Sequence, residues 1–326
     1  MLEHGGRLAR AVTQHGIPRE HWLDLSTGIS PYAYPVPAVP AEAWHRLPED
    51  DDGLMRAARA YYAAPHLLAV PGSQAAIMAL PRMRSRSRVG VISPGYNEHA
   101  HAWRQHGHDV RECPADALFE RAADFDVIVL IHPNNPGGDR FRREALLALH
   151  ASLASRGGWL IVDEAFIDTR PDGTLCAAAC DGLIVLRSVG KFFGLAGVRA
   201  GFVASSPGLL EALRECLGPW TLSGPTRHVV KAALTDVDWQ ITMRARVRED
   251  SARLVALLTE HGLRPDGGCD LFQYCRHPDA ARLHDALATR AILTRRFDDP
   301  PALRFGLPGD EVGFERLDVA LAEVLA

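Results

Sequence analysis

Short apolar runs alternate with longer amphipathic segments between residues 67 and 205. Four of the runs are rich in aliphatic residues and bounded by turn-forming residues, which predicts buried strands. They are Val89–Ser93, Phe125–Ile131, Trp159–Asp163 and Leu183–Ser188. Between the second and third runs, leucines recur at helical spacing and the segment ends in Gly157-Gly158, which predicts a helix. Strands separated by helices predict a mostly parallel sheet that is covered on both faces.

The pattern changes after Pro225. A long helical pattern extends from about Arg227 to Glu260, and the closing segment to Ala326 is amphipathic again. Between them the pattern predicts strands at 271–275, 292–297 and 303–307, with a helix at 279–290. The predicted domains are 1–45, an N-terminal arm that contributes to the small domain and the substrate pocket, 46–224, the large domain, and 225–326, a smaller α+β domain.

The length of 326 residues fits a large domain plus a smaller one. Apolar residues make up 47% of the chain and charged residues 23%, as in ordinary globular proteins. The formal net charge of −4 gives no electrostatic reason to expect nucleic acid or a membrane as partner. The first residues, MLEHGGRLARAVTQHG, lack the apolar core of a secretory signal, and no stretch approaches ~18 apolar residues. We therefore expect a cytoplasmic protein without a membrane span.

The segment with the strongest chemical signal follows the strand at 183–188. It reads SVGKFFGLAGVR and contains Ser188, Lys191 and Arg199. Because ligands of open parallel sheets bind beyond the carboxyl ends of the strands, these residues fall where a site is expected. A lysine flanked by glycine and aromatic residues can be held neutral, which an imine-forming amine requires. Ser188 and Arg199 offer donors to a phosphate. A loop lysine alone is usually a surface charge, but the whole string favours the imine-forming interpretation.

A carboxylate ends the neighbouring predicted strand. Asp163 is the last residue of WLIVD, and a carboxylate at a buried strand end is costly unless it is paired. One useful partner is the ring nitrogen of pyridoxal phosphate, which must be protonated for the ring to accept electrons. Taken alone, such an aspartate is more often a helix cap or a loop acid.

Three further sets of residues follow predicted strands. Gly72, Ser73 and Gln74 begin a helix after the short strand LLAV, so their free N–H groups suit a phosphate, although ordinary N-capping gives the same pattern. Tyr96 follows the strand at 89–93, where its ring can stack on a planar cofactor or simply pack at the rim. Asn135, in the loop HPNNPGG, offers an amide donor, although the loop also fits a plain turn.

The order of these motifs resembles that of fold-type I pyridoxal-phosphate enzymes, and aminotransferase-like members most. It consists of a strand-end Asn-Pro loop, an aspartate, and then S-x-G-K with an arginine eight residues after the lysine. The resemblance spans nearly the whole chain. It implies an α/β fold, with a three-layer large domain around a mostly parallel central sheet and a smaller α+β C-terminal domain. It also implies pyridoxal 5'-phosphate as cofactor.

The resemblance assigns roles in the cofactor site. Lys191 is implied as the Schiff-base lysine and Asp163 as the partner of the pyridinium nitrogen. Asn135 is implied as donor to the phenolate oxygen and Tyr96 as the stacking ring. The implied phosphate cradle consists of Gly72, Ser73, Gln74, Ser188 and Arg199.

Three other segments resemble threonine-phosphate decarboxylase-type proteins of cobalamin biosynthesis, particularly those of the aerobic pathway. They are His4–Gly6 with Trp22–Pro31, Gly218–Trp220, and Ile292–Phe297 with Leu303-Arg304. The resemblance implies decarboxylation of L-threonine O-3-phosphate to (R)-1-amino-2-propanol O-2-phosphate. In the implied substrate site, Arg304 binds the carboxylate, which suits guanidinium geometry, although a lone arginine there is more often a surface residue. The implied phosphate pocket contains His4, Gly5, Gly6 and Arg295, with Gly28 also in the substrate site.

The sequence departs from the family pattern at several positions. Phe166 stands where relatives have a tyrosine near the phenolate oxygen, and Leu47 where many have a tyrosine that reaches the partner subunit's phosphate. Ser30 stands where asparagine is common in relatives, and Gly28 stands where some decarboxylases also have an asparagine. Family members usually form homodimers, and the Pro-rich arm Pro31–Pro40 is expected to be extended and able to cross to a partner.

Two other functions remain open at this stage. An aminotransferase for a phosphorylated amine, such as histidinol phosphate, shares nearly all the cofactor motifs. A non-catalytic sensor or assembly protein of the same fold is the alternative from another class, but the presence of Asp163, Lys191 and Arg199 argues against it. The histidine pairs His99/His101 and His106/His108 alternate with small and polar residues, which predicts a solvated helix face and no metal site.

Overall fold

The computed structural model describes residues 5–325, so the predicted substrate residue His4 lies outside the described part. Its contacts divide the chain into two compact units. The described residues of the large unit are 34–135 and 139–240, and those of the small unit are 5–33, 136–138 and 241–325. The predicted domain ranges 1–45, 46–224 and 225–326 differ from these units and stay a prediction.

The described residues form strands and α-helices that alternate over much of the chain. The strands are β1 (Leu23–Asp24), β2 (Leu67–Val70), β3 (Arg88–Ile92), β4 (Asp109–Cys113), β5 (Val127–Ile131), β6 (Trp159–Asp163), β7 (Leu183–Ser188), β8 (Gly201–Ala204), β9 (Gly267–Cys269), β10 (Phe272–Arg276), β11 (Ile292–Leu293), β12 (Arg295–Asp298) and β13 (Pro301–Gly306). The helices are α1 (Leu8–His15), α2 (Glu42–His45), α3 (Leu54–Tyr62), α4 (Ser73–Ala79), α5 (Glu98–Gln105), α6 (Ala115–Glu120), α7 (Arg143–Ala154), α8 (Pro207–Leu217), α9 (Gly224–Thr235), α10 (Val237–Glu260), α11 (Ala280–Ala288) and α12 (Glu311–Leu325).

The large unit contains a seven-stranded sheet in the order β2-β8-β7-β6-β5-β3-β4. Neighbouring strands are parallel except for β8, which is antiparallel to both β2 and β7. Strand β2 therefore runs in the same direction as β7. As a result, the carboxyl ends of β2, β3, β5, β6 and β7 meet the start of β8 at one edge of the sheet. The predicted mostly parallel sheet is confirmed.

Helices cover both faces of this sheet because its strands are apolar on both sides. Every residue of β5 and β7 is buried. Helices α4, α5 and α8 pack against the sheet in one continuous apolar cluster that includes Ile77, Trp103 and Leu213. Helix α7, which packs against β6, buries leucines such as Leu146 and Leu153, and each buried leucine contributes roughly 1.5–3 kcal/mol. The predicted three-layer arrangement is confirmed.

The small unit contains an antiparallel sheet in the order β12-β13-β10-β9 and a parallel pair formed by β1 and β11. In the larger sheet Arg295 lies directly opposite Arg304. A small apolar cluster around Trp22 and Leu293 holds α1 against the segment after α11. This α+β arrangement was predicted. None of the helices within residues 5–325 is both long and apolar enough to cross a membrane.

Candidate active site

A cavity of about 110 Å³ opens where the carboxyl ends of the large unit's strands meet. The structure places all nine residues of the predicted cofactor site around it. Its lining consists of Gly72, Ser73, Gln74, Tyr96, Ile131, Asn135, Asp163, Ala165, Phe166, Ser188, Lys191 and Arg199. Residues far apart in sequence meet here because β2 to β7 end at this edge and β8, which follows Arg199, begins there.

Asp163 ends β6 and is 4% exposed. Its Oδ2 lies 3.0 Å from Nε2 of His99, and its Oδ1 accepts a hydrogen bond from the backbone N–H of Ala165 at 3.0 Å. A buried carboxylate needs such partners. With both oxygens engaged, the carboxyl group is held in one orientation.

His99 is a site residue that the sequence analysis missed. The prediction of a solvated helix face is wrong for His99, which is 1% exposed, and also for the buried His108. His99 and Trp103 lie four residues apart on the face of α5 that packs against the sheet. The position of His99 one helical turn after Tyr96 was a usable signal. Within residues 5–325, no group of three or more His, Cys, Asp or Glu side chains is arranged to hold a metal ion.

Two glycines let an arginine approach the start of α4. Gly72 has φ +72°, and a Cβ there would lie 2.7 Å from Nη2 of Arg199. A Cβ at Gly201 would lie 2.5 Å from the backbone nitrogen of Ser73. Only glycine permits both close approaches. Gly72, Ser73 and the guanidinium of Arg199 consequently lie close together in the lining of the cavity.

Tyr96 takes part in a chain of side-chain hydrogen bonds. Its hydroxyl donates to Oε1 of Gln74 at 3.1 Å, and Nε2 of Gln74 donates to Oε2 of Glu98 at 3.2 Å. Burial raises the pKa of Tyr96 to about 12, and the nearby Glu98 adds to the increase. The Tyr96 hydroxyl is therefore protonated at neutral pH.

Lys191 lies in the loop after β7. Its Nζ is 5.5 Å from the centre of the Phe166 ring, which is buried. Ser188 is also buried, and its Oγ accepts a hydrogen bond from the N–H of Gly190 at 3.3 Å. Phe166 thus presents an apolar ring to the lysine and no hydroxyl.

A buried charged cluster lies behind this edge of the sheet, and the sequence analysis did not predict it. Arg187 is 2% exposed, and both Glu164 and Asp168 are 0% exposed. Nη1 of Arg187 lies 2.8 Å from Oε2 of Glu164, and Nη2 forms an ion pair with Asp168. Successive side chains of a strand point to opposite faces. Arg187 therefore faces away from the side that Ser188 faces.

A second cavity, of about 190 Å³, lies in the small unit. Of the predicted substrate residues, Gly5 and Arg295 line it. Gly6 adjoins it, since its N–H donates to Oγ of Ser26 at 2.8 Å. Gly28 is buried and is not among the lining residues.

Arg304 is 6% exposed and lies directly opposite Arg295 in the β12–β13 pair. Its Nη2 donates to the carbonyl oxygen of Ser26 at 2.8 Å. Burial, and then the charge of Arg295, lower the pKa of Arg304 to about 10. Like charges directly opposite each other on neighbouring strands repel.

Comparison with known proteins identifies the family. Residues 54–316 match the model of the family "Aminotransferase class I and II". The chain is 55% identical over 324 residues to a threonine-phosphate decarboxylase of Pseudomonas aeruginosa, covering 98% of this chain and 97% of that protein. The chain belongs to the class I and II aminotransferase family. Enzymes of this family depend on pyridoxal phosphate.

Two further proteins show how far the family likeness extends. A threonine-phosphate decarboxylase of a Sinorhizobium species is 42% identical over 332 residues, 99% of this chain and 98% of that protein. The crystal structure of the histidinol-phosphate aminotransferase of Sinorhizobium meliloti in complex with pyridoxal-5'-phosphate superposes with a TM-score of 0.84. It is 19% identical and covers 99% of this chain and 95% of that structure, so this second likeness concerns the fold.

Proposed function

We propose that this protein decarboxylates L-threonine O-3-phosphate to (R)-1-amino-2-propanol O-2-phosphate in cobalamin biosynthesis. The observation that carries the proposal is that Arg295 and Arg304 lie directly opposite each other on neighbouring strands, close enough for the charge of one to act on the other, which suits a substrate with two anionic groups. The names of the relatives that are 55% and 42% identical over nearly their whole length support the same reaction.

The cavity of the large unit fits pyridoxal phosphate. The approach of Arg199 to Gly72, which a Cβ would block, leaves a cradle suited to a phosphate, and the buried Asp163 is suited to a protonated ring nitrogen. We assign Lys191 as the lysine that binds the aldehyde, Asn135 as donor to the phenolic oxygen and Tyr96 as the stacking ring. The proposed phosphate cradle consists of Gly72, Ser73, Gln74, Ser188 and Arg199.

The chemistry divides between the cofactor and the protein. When bound, pyridoxal phosphate supplies an electron-accepting ring that weakens the bonds at the substrate's Cα. Asp163 would hold a proton on the ring nitrogen of the bound cofactor, and His99 keeps Asp163 oriented. Because the pKa of Tyr96 is about 12, its hydroxyl stays protonated. Among the described residues that line the cavity, this leaves Lys191 as the proposed proton-transfer group, which would act through its Nζ.

The substrate residues decide which bond is broken. Decarboxylation requires the Cα–carboxylate bond to stand perpendicular to the ring, whereas transamination requires the Cα–H bond there. We propose that Arg304 fixes the carboxylate and that Arg295, Gly5, Gly6 and His4 bind the phosphate. Gly28 remains a proposed member of the substrate site.

A product assay tests the reaction. Incubation of the holoenzyme with O-phospho-L-threonine is expected to release carbon dioxide and aminopropanol phosphate without any 2-oxo acid. Strict dependence on 2-oxoglutarate would instead indicate an aminotransferase, such as one for histidinol phosphate. Absence of any turnover, with pyridoxal phosphate bound, would favour a sensor or assembly protein.

The assignment of the lysine has its own test. The sequence contains two lysines, Lys191 and Lys231, and Nζ of Lys231 donates to the carbonyl oxygen of Asp52 at 2.9 Å. Borohydride treatment of the holoenzyme should fix the cofactor to the peptide that contains Lys191. Lys191→Ala should abolish the labelling and Lys231→Ala should retain it. Labelling of Lys231 would refute the assignment.

The assembly and location are also proposals. We propose a homodimer, as is usual in the family, that works in the cytoplasm. Exposed apolar side chains of the large unit, including Trp44 and Leu47, support a covered surface there.

A further inference from the structure

The N-terminal segment of the small unit contains a turn that begins at Asp24, the last residue of β1. Oδ1 of Asp24 accepts two hydrogen bonds from Ser26, one from the backbone N–H at 2.9 Å and one from the hydroxyl at 2.6 Å. An aspartate that binds the backbone two residues further on closes an Asx turn. The hydroxyl of Ser26 also accepts from the N–H of Gly6 at 2.8 Å. We call residues 24–26 the Asp24 turn.

Two contacts hold the Asp24 turn against β13. The backbone N–H of Gly306 donates to the carbonyl oxygen of Leu25 at 2.8 Å. A Cβ at Gly306 would lie 2.5 Å from the carbonyl oxygen of Thr27, so this approach requires glycine. Ser26 itself is 2% exposed. The turn is therefore buried and closely packed, and its backbone has one fixed orientation.

The turn presents a carbonyl oxygen to Arg304. Nη2 of Arg304 donates to the carbonyl oxygen of Ser26 at 2.8 Å. A guanidinium group is planar, so a hydrogen bond at one nitrogen also sets the directions of the other N–H groups. Asp24 acts on Arg304 in a second way, because its negative charge opposes the fall in the pKa of Arg304 that burial causes. The turn thus influences both the orientation and the charge of the arginine.

Orientation decides how well an arginine binds a carboxylate. The two parallel hydrogen bonds of a guanidinium–carboxylate pair form only when the two planar groups are aligned. A side chain that is already held in the binding orientation loses less conformational freedom when the ligand binds. An arginine that is held by a rigid turn is therefore prepared to bind a carboxylate in one direction.

We infer that Asp24 is a positioning residue, which acts through Ser26 to hold Arg304 in the orientation that binds the carboxylate of the substrate. The inference rests on the proposed function for the role of Arg304. It adds a residue that does not itself touch the substrate, and neither Asp24 nor Ser26 was among the predicted site residues.

Two ligands separate the carboxylate from the rest of the substrate. 3-Phosphoglycerate carries a carboxylate and a phosphate at the same spacing as O-phospho-L-threonine, and glycerol 3-phosphate lacks the carboxylate. Neither ligand has an amino group, so their binding is measured without turnover by titration calorimetry. The holoenzyme is used, so that the cofactor's own phosphate occupies the cradle of the large unit. The ratio of the two dissociation constants is the carboxylate preference.

Three variants are compared with the wild type. Asp24→Ala removes both hydrogen bonds to Ser26, Asp24→Asn keeps an acceptor oxygen, and Ser26→Ala removes only the hydroxyl. Asp279→Ala is the matched control, because Asp279 is an exposed aspartate of the same unit, directly before α11. Melting curves show whether each variant is folded, and Ser26→Ala keeps the test decisive if Asp24→Ala does not fold.

The wild type should bind 3-phosphoglycerate more tightly than glycerol 3-phosphate. Asp24→Ala should lower this preference by about tenfold, because the guanidinium group loses its fixed orientation. Ser26→Ala should lower it by a smaller factor, Asp24→Asn should retain most of it, and Asp279→Ala should match the wild type. A loss of stability alone would weaken the binding of both ligands and leave the preference unchanged.

A preference that persists in Ser26→Ala and in every folded Asp24 variant would overturn the inference and leave the proposed function intact. The absence of any preference in the wild type would refute the role of Arg304 and the inference with it. If the wild type shows the preference but does not decarboxylate O-phospho-L-threonine, the proposed function fails, and the variants still decide whether Asp24 positions Arg304.

Discussion

At the scale of single residues, the contact between His99 and Asp163 joins two buried side chains at the centre of the proposed cofactor site. We predict that His99→Ala lowers kcat about tenfold to a hundredfold, because one hydrogen bond to a charged group is lost. The visible absorption of the bound cofactor should also change its pH dependence, since Asp163 would be less firmly held.

His101→Ala is the matched control for that prediction. His101 lies on the same helix and is half-buried, whereas the two carboxylate oxygens of Asp163 are engaged by His99 and by the N–H of Ala165. It should retain the wild-type kcat and absorption. Equal kcat values and spectra for the two variants would contradict the role of His99.

His132 makes stability depend on pH. Burial lowers its pKa to about 4, and its Nδ1 accepts a hydrogen bond from the N–H of Phe141 at 3.1 Å. In the unfolded chain this histidine takes up a proton near pH 6.5. In the folded protein it takes up the proton only near pH 4. The unfolded state therefore gains protons first, and stability falls as the pH drops. When the pH is lowered from 7 to 5, this histidine should reduce the unfolding free energy by about 2 kcal/mol.

Urea unfolding at the two pH values checks this expectation. His132→Asn should remove about 2 kcal/mol of the pH dependence, whatever its effect on stability at pH 7. His66→Asn, at an exposed position, should leave the pH dependence as in the wild type. An unchanged pH dependence in His132→Asn would show that another group causes it.

At the scale of elements, the charged cluster behind β6 and β7 depends on Arg187. Arg187→Met would leave Glu164 and Asp168 buried without their cation, and breaking a buried ion pair in this way costs roughly 3–5 kcal/mol. The unfolding free energy in urea at pH 7 is expected to fall by about that amount. Arg142→Met, at an exposed ion pair on the surface, should change it by less than about 1 kcal/mol. Similar losses in both variants would argue against the cluster as a stabilising element.

The sequence pattern predicted buried elements better than exposed or interrupted ones. Strands β6 and β7 have the predicted bounds because aliphatic residues fill most of their buried positions. Strand β4 was missed, since it is an edge strand and most of its side chains are exposed or partly exposed. The single helix predicted at 227–260 is two helices, α9 and α10. The break falls at Asp236, whose Oδ1 accepts from the N–H of Trp239 at 3.0 Å, and an aspartate in a polar helical stretch is a weak signal.

The candidate site shows the same contrast. All nine predicted cofactor residues lie around one cavity because their motifs follow strand ends, which the pattern located. His99 was not predicted as a site residue. Its contact with Asp163 depends on which way a helix face points, and polar residues hide that direction in a sequence. The buried Arg187 cluster was missed for a related reason, because nothing local indicates that its three charges compensate one another.

At the scale of the whole molecule, the exposed apolar side chains of the large unit predict self-association. Trp44 is 67% exposed and Leu47 is 63% exposed. We expect light scattering after size-exclusion chromatography to give twice the mass of the chain, and Trp44→Glu with Leu47→Glu to shift the protein towards the monomer. The exposed Val319→Glu, in the small unit, is the control and should remain dimeric. A monomeric wild type at micromolar concentration would contradict the proposal.

The direct pairing of β7 with β8 limits how far the length of the loop between them can vary among related proteins. Because Ser188 is in register with Gly201, the twelve residues between them form a closed loop whose two ends are locked in the same ladder. One inserted residue would either shift that register or displace Lys191 relative to Arg199. Relatives should consequently tolerate changes of length in the connection between β6 and β7 far more readily than in this loop, where the number of residues is constrained as strictly as their identity.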